Sequence, residues 1–244
     1  MWAFPLAAGL IASVFAVALG RRFLQRRQIH LATWCVALAM YAAASFAVAA
    51  GAAAGWSRTL FEIYWALGAV LNVPLLAAGE LQLLWRDDTR EAAFGRAAIW
   101  IVLAFVFAYT IAVTRGAGMD EVALAERLPS GKDVFGDGTP AHRLPQVISI
   151  PSYVVLVAGA GWSAWRMRGR PELRDRFTGT LLIAAGATIT AAAGSAFAAV
   201  GNLSAFSLSL LAGVAVMFAG FLRATRMAPR EPGDRSAIRS RRLG

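Results

Sequence analysis

Residues 60–85 read LFEIYWALGAVLNVPLLAAGELQLLW, and this stretch decides the fold. It is 26 residues long and contains two formal charges, Glu62 and Glu80. A bilayer core about 30 Å thick needs about 20 residues of helix at about 1.5 Å each, so the stretch is long enough to cross it. Backbone hydrogen bonding in lipid leaves helix as the only conformation for such a long apolar segment.

Similar stretches recur along the whole chain. The protein has 244 residues, of which 58% are hydrophobic and 16% charged, whereas a soluble domain has about a quarter of its residues charged. We therefore predict an all-α, polytopic membrane bundle of seven transmembrane helices. The predicted spans are 4–20, 31–53, 60–85, 97–114, 144–165, 178–200 and 203–222.

Basic residues are distributed unevenly over the two ends of these spans. Nineteen of the 24 Lys and Arg residues lie on the side of the C-terminus and five on the other side. Because Lys and Arg near membrane ends are retained in the cytoplasm, we predict the N-terminus outside and the C-terminus cytoplasmic. The net charge of +10 is then a sign of topology, and nucleic-acid binding is not predicted. A composition of 23 Arg and one Lys is typical of bacterial proteins, so we expect a bacterial plasma membrane.

The domain organisation is simple. Residues 1–226 are predicted to form the transmembrane domain, and residues 227–244 a disordered, basic cytoplasmic tail that contacts anionic lipid headgroups. The one long connection is the outside loop 115–143, which is rich in Gly, Asp and Pro. We expect this loop to be a solvated connector rather than a lid, with one short helix at 120–128 capped by Asp120.

The long loop divides the helices into groups of three, one and three. Since the first and fifth helices run in the same direction, a duplicated triplet would be a parallel repeat with the fourth helix as linker. Small residues at every fourth position of the second and sixth helices allow backbones to approach closely, so we expect both helices at the centre of the bundle. These positions are Ala43, Ala47, Gly51 and Gly55, and Gly186, Thr190, Gly194 and Ala198.

Candidate functional residues are concentrated in the third helix. Asn72 lies 14 residues from both Arg58 and Arg86, near the bilayer midplane, and Pro74 frees the carbonyl of Val70 beside it. The pair forms a polar site at mid-depth, unless Asn72 only bonds a neighbouring helix. Glu80 lies closer to the cytoplasmic end, where a functional role and an ion pair with an interfacial arginine are both open.

Other charged and nucleophilic residues exclude several classes of function. Glu62 is four residues from Arg58, so we predict a surface ion pair. The only lysine, Lys132, lies in the outside loop, which excludes a retinal Schiff base. His30 and His142 lie on opposite sides of the membrane, so neither haem ligation nor a metal site is predicted, and we expect no cofactor. No nucleophile has a base at a suitable depth, which leaves a membrane enzyme as a minor alternative.

Two resemblances bear on this sequence. The pattern Glu62-x-Tyr64-Trp65-x-x-Gly68-Ala69-x-x-Asn72-Val73-Pro74-x-Leu76-x-x-Gly79 resembles a segment of bacterial multi-spanning proteins without an assigned activity. It covers less than a tenth of the chain and implies no chemistry. The three-one-three plan resembles seven-helix carriers of the SWEET and PQ-loop type, with Pro145-Gln146 opening the fifth helix. The first helix departs from that pattern, because it has Pro5-Leu6 and no Pro-Gln pair near its start. That resemblance implies a small-solute carrier.

These observations support two hypotheses of function. In the first, the protein binds or transports a small solute at a mid-membrane site formed by Asn72, Pro74 and Glu80. In the second, it is a non-transporting sensor or assembly subunit, which receives an input at the outside loop and contacts a membrane or cytoplasmic protein partner. A water-accessible cavity at mid-depth favours the first hypothesis, and a dry core with an exposed apolar groove favours the second.

Overall fold

The structure is a computed structural model that describes residues 2–84 and 90–225, apart from the side chains of residues 84, 91 and 92. Within these residues it is all-helical, and seven helices are long and apolar enough to cross a membrane, as the sequence predicts. The predicted tail 227–244 lies outside the described residues. The helices are α1 Ala3–Arg26, α2 Ile29–Ala54, α3 Arg58–Leu83, α4 Arg90–Gly116, α5 Glu121–Leu124, α6 Gly131–Phe135, α7 Pro140–Met167, α8 Pro171–Ala199 and α9 Leu203–Ala224.

Six of the seven long helices form a closed ring. Each helix packs mainly on two neighbours, in the order α1, α2, α3, α7, α8 and α9, and α9 returns to α1. Helix α4 stands outside this ring and packs on α3 and on the first turn of α7. Only 17% of the α4 span is buried, against 61% of the α2 span, so most of α4 faces away from the bundle.

Aromatic side chains fill the centre of the ring. The Tyr41 hydroxyl of α2 donates to the carbonyl oxygen of Leu210 in α9 over 2.8 Å. The rings of Tyr64 in α3 and Phe206 in α9 meet edge to face, with centroids 6.2 Å apart. These contacts join α9 to two helices that are not its neighbours in sequence, and they occupy the space around the ring axis.

Helices α8 and α9 approach each other through pairs of glycines. A Cβ at Gly186 would lie 2.5 Å from the carbonyl oxygen of Gly213, and a Cβ at Gly220 would lie 2.7 Å from that of Gly179. Small residues permit this approach, which gives packing where lipid provides no hydrophobic force between helices. The predicted role of Gly186 in close packing is therefore confirmed.

The predicted central position holds for α2 and is wrong for α8. Only 17% of the α8 span is buried, because one face of α8 packs on α7 and α9 and the rest faces outward. A small-residue pattern shows that a helix has a close neighbour, but it does not show how many neighbours surround it. In α2, Gly51 is in close contact with Trp56, whereas Gly55 ends the helix with φ +93°.

The outside loop is a folded cap, so the expectation of a solvated connector is wrong. Leu128, Val134 and Phe135 are 4%, 1% and 7% exposed and belong to the main hydrophobic core of the bundle. Asp120 caps α5 as predicted, with its carboxylate accepting from the Val122 amide over 2.8 Å. The helix there is a single turn, Glu121–Leu124, and therefore shorter than predicted.

Glycine at the α8–α9 contact should be necessary for stability. Replacing Gly220→Ala places a methyl group against the Gly179 backbone, and such overpacking costs about 1–3 kcal/mol. The matched control is Gly161→Ala on α7, where a Cβ meets nothing within 4 Å. We expect the free energy of unfolding, measured by SDS titration in mixed micelles, to fall for Gly220→Ala and to stay level or rise for Gly161→Ala. Equal effects of the two substitutions would contradict this packing.

Candidate functional site

Pro74 leaves two backbone acceptors of α3 without their helical donor, and α7 supplies a replacement. Proline has no N–H, so the carbonyl of Val70 loses its α-helical bond. The stretch Tyr64–Leu71 is a π-helix, in which a carbonyl bonds to the amide five residues ahead, so the carbonyl of Ala69 is affected too. The Ser149 hydroxyl lies 2.7 Å from the Ala69 oxygen and 3.1 Å from the Val70 oxygen and serves as donor to this pair. The acceptor that the sequence predicts is therefore already satisfied by α7.

Asn72 is buried near the middle of α3, on the face towards α2. Its side chain is 5% exposed, and its carboxamide oxygen has no hydrogen-bond partner among the described residues. Gly79 lies two helical turns further along on the same face and packs against the indole of Trp34 in α2. The Asn72 oxygen therefore makes no hydrogen bond to a neighbouring helix among the described residues, although the sequence analysis gave such a bond as the alternative role of Asn72.

Glu80 faces α7 and is 5% exposed. The Ser163 hydroxyl donates to its carboxylate over 3.1 Å, and a Cβ at Gly159 would lie 2.6 Å from the Glu80 Cγ. Gly159 therefore provides the space in which the Glu80 side chain lies. No ion pair among the described residues includes Glu80, and Arg86, the partner suggested by sequence spacing, lies outside them.

The three candidate residues have different neighbours. Asn72 and Glu80 are eight residues apart, about 12 Å along α3 and about 80° around it. Two hollows among residues 2–84 and 90–225 border none of the three. One is a cleft of about 300 Å³ under α5, and the other is an apolar groove of about 400 Å³ between α2, α3 and α4. Within the same residues, no three His, Cys, Asp or Glu side chains are placed to hold a metal ion.

Two tryptophans hold the outer cap on the bundle, and sequence reasoning missed their role. The Trp65 indole N–H donates to the carbonyl oxygen of Ala141 over 3.1 Å, and that of Trp56 donates to the oxygen of Arg127 over 3.2 Å. Gly131, the first residue of α6, lies so close to the Trp65 ring that any Cβ would overlap it. The sequence contains one indication of this contact: Trp65 lies inside a predicted span, and a buried indole N–H needs an acceptor.

Arg58 connects the outer ends of α3 and α4. Its guanidinium pairs with Glu62 at 2.9 Å, which confirms the predicted ion pair. The same group donates to the carbonyl oxygens of Arg115 and Ala117 over 3.0 and 3.1 Å. These carbonyls lie at the C-terminal end of α4, where helical acceptors lack intrahelical donors. Arg58 therefore joins the outer end of peripheral α4 to α3.

The sequence matches no protein-family model, no curated protein and no solved structure at a significant level. The resemblances of residues 62–79 and of the three-one-three plan therefore stay predictions. The function is argued below from the residues of this chain.

The hydrogen bonds from Ser149 should depend on Pro74. In the native background, Ser149→Ala removes the hydroxyl that reaches the Ala69 and Val70 carbonyl oxygens, and we expect a loss of about 1 kcal/mol in the free energy of unfolding. In a Pro74→Ala background the restored N–H at position 74 bonds the helix, so the same substitution should cost less. The control is Ser152→Ala, whose hydroxyl donates only to Ile148 in its own helix over 2.7 Å. A double-mutant cycle by SDS titration measures the coupling, and additive effects would contradict the assignment.

Proposed function

We propose that this chain is a non-transporting membrane protein, a sensor or assembly subunit that acts through protein contacts. One observation carries the proposal: the polar groups of α3 are enclosed by neighbouring helices. The acceptors freed by Pro74 are bonded by Ser149, Glu80 is enclosed by α7, and Asn72 is 5% exposed. A carrier holds its substrate at the midplane between repeats and needs access for water there. Because these polar groups are packed between helices, we place the function at the two ends of the bundle.

The outer cap is the proposed input surface. Val122 on α5 is 82% exposed, so its side chain is accessible to a partner at this surface. The cap is attached to α3 by Trp65 and Arg58, so a partner that moves the cap also acts on α3. Trp65 belongs to the π-helical segment Tyr64–Leu71, which gives α3 a stretch with an alternative helical winding, and such segments are frequent at functional sites.

The opposite end is the proposed output surface. We place the N-terminus outside and the basic C-terminus in the cytoplasm of a bacterial cell, with the chain spanning the plasma membrane. The uneven distribution of Lys and Arg supports this orientation. An arginine-rich cytoplasmic surface fits an acidic surface of a protein partner as well as the anionic leaflet.

We also propose that the ring arose by a parallel three-one-three duplication. Exchanging the triplet α1, α2, α3 with α7, α8, α9 converts every pair of ring neighbours into another observed pair. For example, the contact of α3 with α7 becomes the contact of α9 with α1. Helix α4, the linker in this scheme, is the long helix outside the ring. This arrangement supports the duplication.

A second candidate function, binding or transport of a small solute, is favoured by one observation. The carboxamide oxygen of Asn72 has no hydrogen-bond partner among the described residues, at the depth where carriers bind substrate. In this alternative, α2 would separate from α3 and allow a polar solute to reach Asn72. The two functions differ in whether water ever reaches that side chain.

Thiol accessibility distinguishes the two functions. In a Cys35→Ala background, Asn72→Cys, Leu71→Cys and Val122→Cys are treated in intact membranes with a small charged methanethiosulfonate and then counter-labelled after SDS denaturation. We expect rapid labelling of Val122→Cys and none of the other two, because Leu71 is 0% exposed and Asn72 5% exposed. Labelling of Asn72→Cys well above Leu71→Cys would overturn the non-transporting proposal and support the carrier.

The proposed orientation can be tested with two exposed positions on opposite sides. In the same Cys35→Ala background, Val122→Cys lies on the cap and Glu172→Cys lies at the start of α8. We expect a membrane-impermeant maleimide to label Val122→Cys in intact cells and Glu172→Cys only after the membrane is opened. The reverse pattern would require the opposite topology.

A further inference from the structure

The first turn of α7, in the outer cap, holds His142, one of the two histidines of the chain. Its ring nitrogen Nδ1 accepts a hydrogen bond from the Gly138 amide over 3.3 Å, so this nitrogen carries no proton and the ring is neutral. The same nitrogen lies 3.5 Å from Oδ1 of Asp137, and the side chain is 17% exposed, so water reaches the ring. One nitrogen therefore stands between a backbone donor and a carboxylate acceptor.

Protonation of the His142 ring reverses the role of Nδ1. A neutral imidazole accepts at one ring nitrogen, whereas both nitrogens of the charged ring are donors. When Nδ1 takes a proton from the solvent, the ring therefore loses the bond from the Gly138 amide and donates to the Asp137 carboxylate instead. Histidine is the side chain whose charge ordinarily changes between about pH 5 and 8.

The charged groups beside the ring act in opposite directions. Asp137 is the one carboxylate within 4 Å of a His142 nitrogen among residues 2–84 and 90–225, and it favours the charged ring. Lys132 lies 3.5 Å from the other carboxylate oxygen of Asp137 and competes for it. A Cβ at Gly138 would lie 3.2 Å from Nη2 of Arg143, so a second cation is close and favours the neutral ring.

Helices α4 and α6 pack on the first turn of α7, and α3 contacts it through Trp65. The acids of these elements near the cap have other partners, because Asp133 accepts from the Ser130 hydroxyl over 2.6 Å and Glu62 pairs with Arg58 at 2.9 Å. Arg115 at the end of α4 is exposed, where water and salt screen its charge. Asp137 is therefore the acid that answers a charge on this ring.

The residue before His142 connects the cap to α3. The Ala141 carbonyl oxygen accepts from the Trp65 indole N–H over 3.1 Å, and Ala141 is 1% exposed. The turn before α7 contains Gly136 and Gly138 with φ of +88° and +73°, and glycine changes between such conformations at little steric cost. A changed turn therefore acts on the first turn of α7 and on the Trp65 bond.

We propose that His142 is a proton sensor of the outer cap. On acidification the charged ring leaves the Gly138 amide and binds Asp137, and the changed turn alters the contact of the cap with Trp65. This inference rests on the proposed function, in which the cap is the input surface, and it names the input as a change in outside pH. The thiol test of Asn72→Cys decides the proposed function, whereas the pH response depends on His142, so the two can fail separately.

Tryptophan emission against pH tests the sensor. The full-length protein in lipid nanodiscs is titrated between about pH 5 and 8, and the Trp65 signal is the difference between the native protein and Trp65→Phe. We expect one step in this signal, which persists in His30→Gln and is absent from His142→Asn, whose carboxamide oxygen accepts from the Gly138 amide at every pH. If Trp65→Phe does not fold, as judged by circular dichroism, the total emission of the native protein is compared with that of His142→Asn.

The charges beside the ring set the direction of two further shifts. Asp137→Asn removes the carboxylate that favours the charged ring, so the step should move to lower pH. Lys132→Gln removes the cation that competes for this carboxylate, so the step should move to higher pH. Both shifts should be about 0.2–0.7 pH units and smaller at high salt, because the groups are exposed. A native protein without a step, a step that survives His142→Asn, or equal midpoints in Asp137→Asn and Lys132→Gln would overturn the proposal.

Discussion

The hydrocarbon core of a membrane offers no hydrogen bonds, and this constraint explains the central contact of the structure. Pro74 removes one donor from α3, and a carbonyl without that donor would remain unpaired in lipid unless a hydroxyl from another helix reached it. Ser149 of α7 supplies that hydroxyl, at 2.7 Å from Ala69 and 3.1 Å from Val70. The bond joins the first three helices to the last three, which closes one of the two junctions between the triplets. The other junction, between α9 and α1, is made by apolar packing of Phe15 on aromatic residues of α9.

Helix α3 is consequently the element on which the other parts depend. Its outer end holds the cap through Trp65 and the end of α4 through Arg58. Its inner half bonds α2, since the Trp34 indole donates to the Leu76 carbonyl oxygen over 3.1 Å and the Thr33 hydroxyl lies 3.0 Å from the Gln82 amide oxygen. A force on the cap is therefore applied to a helix that contacts α2, α4 and α7. This is the property that a sensor or assembly subunit requires and that an isolated span lacks.

The sequence was sufficient for features set by local chemistry. Span positions follow from hydropathy and length, the pair of Arg58 with Glu62 from a one-turn spacing, and the free Val70 carbonyl from Pro74. Partners distant in the chain could not be predicted: nothing local indicates that Ser149 bonds α3. The prediction for the cap was wrong for a related reason. Its apolar side chains are scattered among Gly, Asp and Pro in the sequence, and they form a hydrophobic face only in the fold, where they pack on Trp65 and Phe61.

Two buried side chains of α3 have an unpaired polar atom among the described residues, the carboxamide oxygen of Asn72 and the amide nitrogen of Gln82. Asn72 is the one near the middle of the helix. A buried acceptor without a donor costs about 1–3 kcal/mol, and no described neighbour offsets that cost. A second arrangement of α2 against α3, in which a donor reaches the Asn72 oxygen, would recover this free energy. A sensor needs two arrangements that differ by a few kcal/mol, so that a weak input can shift the population between them. In the proposed sensor, the unsatisfied amide on the face of α3 towards α2 would lower the free-energy difference between two such arrangements.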